Sequence, residues 1–537
     1  MALKSNKLHF EIHPSRKKPI GYIRNSYRED GKVKHQTISS IHGLSEAQLK
    51  SMKDAFDGKS ISVSDMKISN GKEYGASATL FALAKLIGLD KTIYSRRETW
   101  VNDVLAMIIG RIIYQGSKLS LSRVTKFSHL WSVCGVLEND IDVVTHCYDS
   151  MDELLSRQKL IQKKLARKHL KDGSIILYDI TSTYFEGEYL ECDNVKFGYN
   201  RDKKKGKKQI VIALICTKDG CPVAVEVFPG NTADKSTVVG KIDELKKIYG
   251  ISDFIFVGDR GMLTISNIDA RPDTLSVTAL TLTAIKKLCT HESIQFSLFD
   301  KDTGTEVVLP EEPKIRYILR ENPILKLEKR TTRNQLIEKT EELLTQIQVP
   351  KKKTDDKTLT KRAVKIFQKY KTEKYFNWDI VDTKIRFSRN HATIAECEQY
   401  DGLYVIRSNV SKELMNTLEV VEAYKSLINI EMAFRNMKTV QLEIRPVYHR
   451  TEDRILVHVF VCMLAYYLLW HMNKAMKSLY ENKSHGLTQA LVLEILKAQQ
   501  KHDLIIDGVS IKGQTVSEPN ELQAEIQRAI LGDIITA

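Results

Sequence analysis

ILYDITSTYFEG, residues 176–187, is the stretch that decides how the rest of this chain is read. Ile176, Leu177 and Tyr178 form an apolar run of the kind that fills a buried strand, and Asp179 interrupts it. An ionised carboxylate in such a strand is costly unless it is paired or binds a metal. Asp179 therefore has a cationic partner, points out at a sheet edge, or holds a metal ion.

A second apolar run, FIFVGDRG at 254–261, also leads into a carboxylate, Asp259. Between the two lie IVIALICT (210–217) and PVAVEVFP (222–229), joined by KDGC with a hairpin signal at Asp219-Gly220. Lys235 to Tyr249 reads as a helix. The predicted order is three strands, a helix and a fourth strand. If the strands of Asp179 and Asp259 are neighbours, the two carboxylates emerge at nearly the same level and repel each other. A divalent cation removes that conflict, and oxygen ligands suit Mg²⁺ or Mn²⁺.

A third acid comes from YKSLINIEMAFRNMK, 424–438, which reads as a helix. At about 100° per residue, Tyr424, Leu427, Glu431, Arg435 and Lys438 fall on one side. A carboxylate beside cations and a phenol suits a phosphodiester site. The alternative is an ordinary Glu431–Arg435 pair on a solvated face.

The bulk composition agrees with a polyanionic partner. The chain has 537 residues, a formal net charge of +15, and is 42% hydrophobic and 28% charged. That length implies several domains, and the charge favours nucleic acid. None of the eight cysteines forms a C-x-x-C pair, which argues against a zinc ribbon or a disulfide scaffold and for a reducing setting. The N-terminus MALKSNKLHF has no apolar core of a signal peptide. ILVHVFVCMLAYYLLW, 455–470, is shorter than the roughly 20 residues of a spanning helix. It also carries His458, so it is expected to be a helix buried in a large core.

Alternation in GYIRNSY and VKHQTIS around Asp30-Gly31 predicts a β-hairpin. Arg16, Lys17, Lys18, Arg24, Arg28, Lys32 and Lys34 mark its polar positions. They suit a phosphate backbone, or an edge strand that avoids pairing. ASATLFALAKLIGL and WVNDVLAMIIGRIIYQ have helical periodicity. A basic loop after the Asp179 strand carries Lys203, Lys204, Lys205, Lys207 and Lys208, which track a DNA backbone or are simply solvated. Trp378 is either a core side chain or a platform for a flipped base.

The segments around Asp179, Asp259 and Glu431 together resemble the DDE transposases of bacterial insertion sequences. The similarity is to the group marked by Y-x2-R-x3-E-x6-K. Tyr424, Glu431 and Lys438 match that spacing, and Leu427 stands at the Arg position. Arg435, one turn after Glu431, is the candidate replacement. RPVYHRTEDRILVH (445–458) and the N-terminal hairpin also look like members of this group.

The resemblance implies an α/β fold with a ribonuclease-H-like mixed sheet core interrupted by an insertion domain. The expected divisions are a basic DNA-binding β-hairpin region (1–72) and a helical, DNA-binding domain (73–170). The first part of the core (171–270), the insertion (271–418), the second part with the Glu helix (419–480) and a helical tail (481–537) follow. Asp179, Asp259 and Glu431 are expected to hold two Mg²⁺ or Mn²⁺ ions. Tyr424, Arg435, Lys438 and Arg260 are expected on DNA phosphates, with the basic loop and Trp378 as further DNA contacts. The implied activity is cleavage at element ends and strand transfer into target DNA. The implied partners are double-stranded DNA and a second copy of the chain assembled on it, with no membrane. The implied place is the bacterial cytoplasm, at the nucleoid. A nuclease that cuts without joining, and a non-catalytic DNA-binding protein, are the alternatives.

Overall fold

A computed structural model describes residues 7–532 except 15–18, 30, 60–65, 69–70, 138–139, 188, 190–191, 203, 205, 234–252, 264–272, 291–293, 301–303, 349–353, 483–485 and 507–510. The chain folds as two units, 1–161 with 437–537, and 162–436.

The first unit begins with β1 (Lys7–His13), β2 (Ile20–Glu29) and β3 (Lys32–Ile41), an antiparallel sheet in that order. β2 and β3 are the predicted hairpin, and β1 adds a third strand. One face rests on the helix Glu46–Phe56, which starts in a Ser45–Gln48 capping box. Phe10 and Leu49 are buried there, and a Cβ at Gly21 would come 2.5 Å from the Phe10 ring. Two short strands follow, β4 (Met66–Ile68) and β5 (Lys72–Glu73), and then the predicted helices, including Gly75–Leu86 and Thr99–Ile113.

The second unit is built on one sheet. Its strands are β6 (Ser174–Tyr184), β7 (Gln209–Thr217), β8 (Pro222–Pro229), β9 (Phe254–Gly258), β10 (Leu275–Ala279), β11 (Thr305–Val307), β12 (Arg316–Glu321) and β15 (Leu403–Ser408). The spatial order is β11-β12-β15-β10-β9-β6-β7-β8. β6, β7 and β8 form an antiparallel meander, while β9 pairs parallel to β6 and β10 parallel to β9. This five-strand order is ribonuclease-H-like. Every residue of β7 is buried, which its unbroken apolar run requires. The helix expected over Lys235–Tyr249 lies outside the described residues.

The stretch 271–418, expected as an insertion, contributes β10, β11, β12 and β15 to this sheet. Two hydrophobic clusters form within this stretch: one joins Leu280, Ile285, Ile294 and Leu309 to Tyr317, Leu319, Leu403 and Val405 of the sheet, and the other, a separate core, lies between Pro323 and Gln399. There Ile337, Leu344, Leu359, Phe367, Phe376 and Ile385 pack together from two long helices and the hairpin of β13 (Phe376–Val381) and β14 (Lys384–Arg389). β10 and β15 pair across more than a hundred residues, a distance over which hydrophobic pattern carries no pairing information.

The chain then returns to the first unit. The helix Glu452–Ala475 has 83% of its most apolar window buried, packed on the helices Thr99–Ile113 and Ser150–Ser156. At 24 residues the helix is longer than its apolar run suggested and long enough to cross a membrane, which corrects the expectation of a segment too short to span. The run is nonetheless covered by protein, as in a core helix. The tail is not all helical. β16 (Gln500–Ile506) and β17 (Ile511–Val516) form a hairpin, and β16 also pairs with β4 and β5. This corrects the helical expectation for 481–537. The short alternating pieces of the tail become strands because their partners wait near residue 70.

Candidate active site

Asp179 lies in the middle of β6, opposite Leu214 of β7. On the other side of β6, Tyr178 pairs with Gly258 in parallel register. Asp259 is the next residue after β9, so the two carboxylates leave adjacent parallel strands at one level. Each accepts a hydrogen bond from the amide that follows it: Ile180 N–H to Asp179 Oδ1 and Arg260 N–H to Asp259 Oδ1, both 2.7 Å.

Glu431 is carried by the helix Leu427–Arg435, which buries Leu427, Ile430, Ala433 and Phe434 and packs on β6 and β7. Asn429 fixes its position by donating from Nδ2 to the Lys218 carbonyl, 2.8 Å away, in the β7–β8 turn. Gly220 of that turn has φ +86°, and a Cβ there would press on Asn429 at 3.0 Å. Glycine meets both demands.

Asp179, Asp259, Glu431, Arg201, Leu427 and Phe434 line one cavity of about 280 Å³. Burial pushes the Asp179 carboxyl up to about 7. Asp259 and Glu431 add to that rise, while the Ile180 amide and Arg201 oppose it. Burial and Asp259 also raise Glu431. Three carboxylates thus face one guanidinium, and the repulsion favours either a proton or a cation among them. All the donors are oxygens, in an arrangement that fits a hard divalent ion.

The predicted helix 424–438 is interrupted. Thr417–Lys425 ends at Ser426, whose Oγ donates to the Ala423 carbonyl at 2.6 Å. Asn436–Val440 winds in wider π-type turns. The single-face argument therefore does not hold over the whole stretch. Tyr424 still reaches the site electrostatically: burial pushes its phenol up to about 12, with Asp259 and Glu431 contributing and Arg260 opposing. Arg260 is exposed beside Asp259, and Arg435 is exposed one turn beyond Glu431. Lys438 is half-buried and belongs to the first unit.

In the basic loop, Lys204 is exposed, Lys207 pairs with Glu186 and Lys208 lies over the Phe197 ring. Lys203 and Lys205 lie outside the described residues. Trp378 packs on Phe367, 5.2 Å between centroids, at the edge of the separate core. It does not line the carboxylate cavity.

Sequence reasoning missed Arg201. It stands just ahead of the lysine run, and its amide donates to Ser182 Oγ at 3.1 Å, tying the loop to β6. Its signal is its place in the stretch between β6 and β7, where it is hidden among more numerous cations.

Fold and site together define a ribonuclease-H-like core with three carboxylates gathered in one cavity on its sheet. The family model described as Transposase DDE domain matches residues 171–468, more than half of the chain. The chain belongs to the DDE transposase family, whose members normally use divalent metal ions. Among solved structures it is similar to the cryo-EM structure of a piggyBac transposase synaptic complex with hairpin DNA. The identity is 10%, over 80% of this chain and 82% of that one, with a TM-score of 0.34. No curated protein matches the chain.

Proposed function

We propose that this transposase cuts DNA strands at the ends of a mobile element and joins those ends to target DNA, using Asp179, Asp259 and Glu431. The observation that carries the reading is the meeting of these three carboxylates in one cavity on the sheet. They would hold two Mg²⁺ or Mn²⁺ ions. Such ions supply charge stabilisation at the leaving oxygen and lower the pKa of the attacking water or 3′-hydroxyl.

The chain's own groups do the rest. Arg201 sits where a guanidinium can hold a non-bridging phosphate oxygen against the carboxylates. Tyr424, with its phenol pushed up to about 12, remains a hydrogen-bond donor at neutral pH. Leu427, Ile430 and Phe434 line the cavity with apolar surface. Arg260, Arg435, Lys438 and the basic loop supply DNA phosphate contacts. The N-terminal sheet and helical region bind the element ends, and two copies bridge them on DNA. The setting is a bacterial cytoplasm, at the nucleoid.

The test is a cleavage and joining assay on labelled DNA bearing the flanking element ends, with Mg²⁺ or Mn²⁺. Wild type should give joined products. Asp179→Asn should lose at least ~10²-fold in rate, the scale of removing one strong transition-state contact, while DNA affinity stays. Cuts without joining would establish the nuclease alternative. Equal activity of the variant would remove Asp179 from the mechanism.

A further inference from the structure

We propose that the N-terminal sheet carries a second metal site, separate from the carboxylate cavity, in which His9, Glu11 and His35 bind a transition-metal ion of the Zn²⁺ class. One ligand atom from each of the three lies within 4.8 Å of the others. His9 and Glu11 are two apart on β1 and so share a face, and His35 comes from β3. That face is the one opposite Phe10, away from the supporting helix.

The contacts already resemble those of a metal site. His9 Nε2 is 3.0 Å from Glu11 Oε1, close to the spacing of two ligands on one tetrahedral ion. The other carboxylate oxygen, Oε2, is held by Arg24 at 2.5 Å and by His13 Nε2 at 3.2 Å. Glu11 is thus oriented through Oε2, and Oε1 is left on the His9 side. Ser26 of β2 lies between the imidazoles, with Oγ 3.2 Å from His9 Nδ1 and 2.9 Å from His35 Nδ1. A hydroxyl bound to both rings fixes their orientation in the way outer partners of metal-bound histidines do. Two imidazoles and one carboxylate select a transition metal over Mg²⁺. A three-ligand set leaves a position for water or for a DNA phosphate oxygen.

The fold supplies a reason for such an ion. β1 and β3 are the two outer strands and do not pair with each other. β3 is exposed along nearly its whole length. An ion bound to both strands would staple β3 across β2, and its binding free energy would become stability of the sheet.

The experiment uses the full chain carrying Asp179→Asn and Asp259→Asn, so that the carboxylate cavity no longer competes for the probe. Equilibrium dialysis against Zn²⁺ alone, and titration with Co²⁺ alone read by visible absorption, report binding. Amide exchange reports β3. One Zn²⁺ per chain is expected, with slowed exchange in β3 and a Co²⁺ spectrum of nitrogen and oxygen ligation. His35→Ala should abolish the slowing and lower affinity at least ~10²-fold, and Ser26→Ala, which keeps every ligand, should lower it about 10-fold. Absence of Zn²⁺ binding, or binding unchanged by both variants, would overturn the proposal. If His35→Ala does not fold, the Ser26→Ala result and the Co²⁺ spectrum decide.

Discussion

Asp179 and Asp259 each follow a residue of one register pair, Tyr178–Gly258, in adjacent parallel strands. A shift of that register by one residue would send Asp179 to the opposite face of the sheet. Register, more than the presence of two acids, therefore makes the site.

The first prediction concerns pH. Burial and two neighbouring carboxylates push Asp179 up to about 7, above its ordinary 3.8. The metal-free folded state thus binds a proton that the unfolded chain has released between those values. The resulting stability is present below about pH 4 and lost as pH rises through 7. Metal must displace this proton, so Mg²⁺ affinity should fall about tenfold per unit below pH 7. Calorimetric titration of Mg²⁺ between pH 5 and 8 checks this, and a flat profile would refute it.

Arg201 should matter to the site without being a ligand. Arg201→Ala removes a charge that lowers the Asp179 pKa. The pH profile of metal binding should move upward, and cleavage should weaken, while Arg201→Lys restores part of both. An unmoved profile would leave Arg201 a loop anchor only.

Lys118 offers a stability test in the first unit. It is 4% exposed, and burial with Arg111 nearby lowers its pKa to about 8. The folded value lies below the unfolded 10.5, so charging it costs stability below pH 8. That cost is relieved as pH rises from 8 to 10.5. Lys118→Met should stabilise the protein at pH 7 by on the order of 1–3 kcal/mol, and the gain should shrink by pH 10. Thermal melts at the two pH values read it directly.

In the second unit, Arg333 grips Asp401 through two bonds, 3.1 and 2.5 Å, with both side chains under a tenth exposed. Arg333→Ala strands a buried carboxylate and should cost about 3–5 kcal/mol. The double variant Arg333→Met with Asp401→Leu should recover most of that loss. Denaturant unfolding of both variants separates a buried pair from mere packing.

Much of the catalytic core was legible in the sequence. β6 to β9 announced themselves as short β-branched runs with turn signals between them, and each of the first two acids sat at such a run. The missed features are all non-local. β10, β12 and β15 look like pieces of an insertion until they pair across a hundred residues. β16 reads as part of a helical tail until β4 accepts it. Arg201 is one cation among many until the fold brings it to the cavity that holds Asp179.

By itself the sequence determined which segments could be strands, which acids stood in apolar settings, and that oxygen ligands would suit a hard cation. Those are local properties of composition and period. Only the tertiary structure decided that Asp179, Asp259 and Glu431 share one cavity, that Arg201 joins them, and that the helix 424–438 breaks at Ser426. Each of these depends on strand register or on packing between residues far apart in the chain. No local pattern encodes a distance across a sheet.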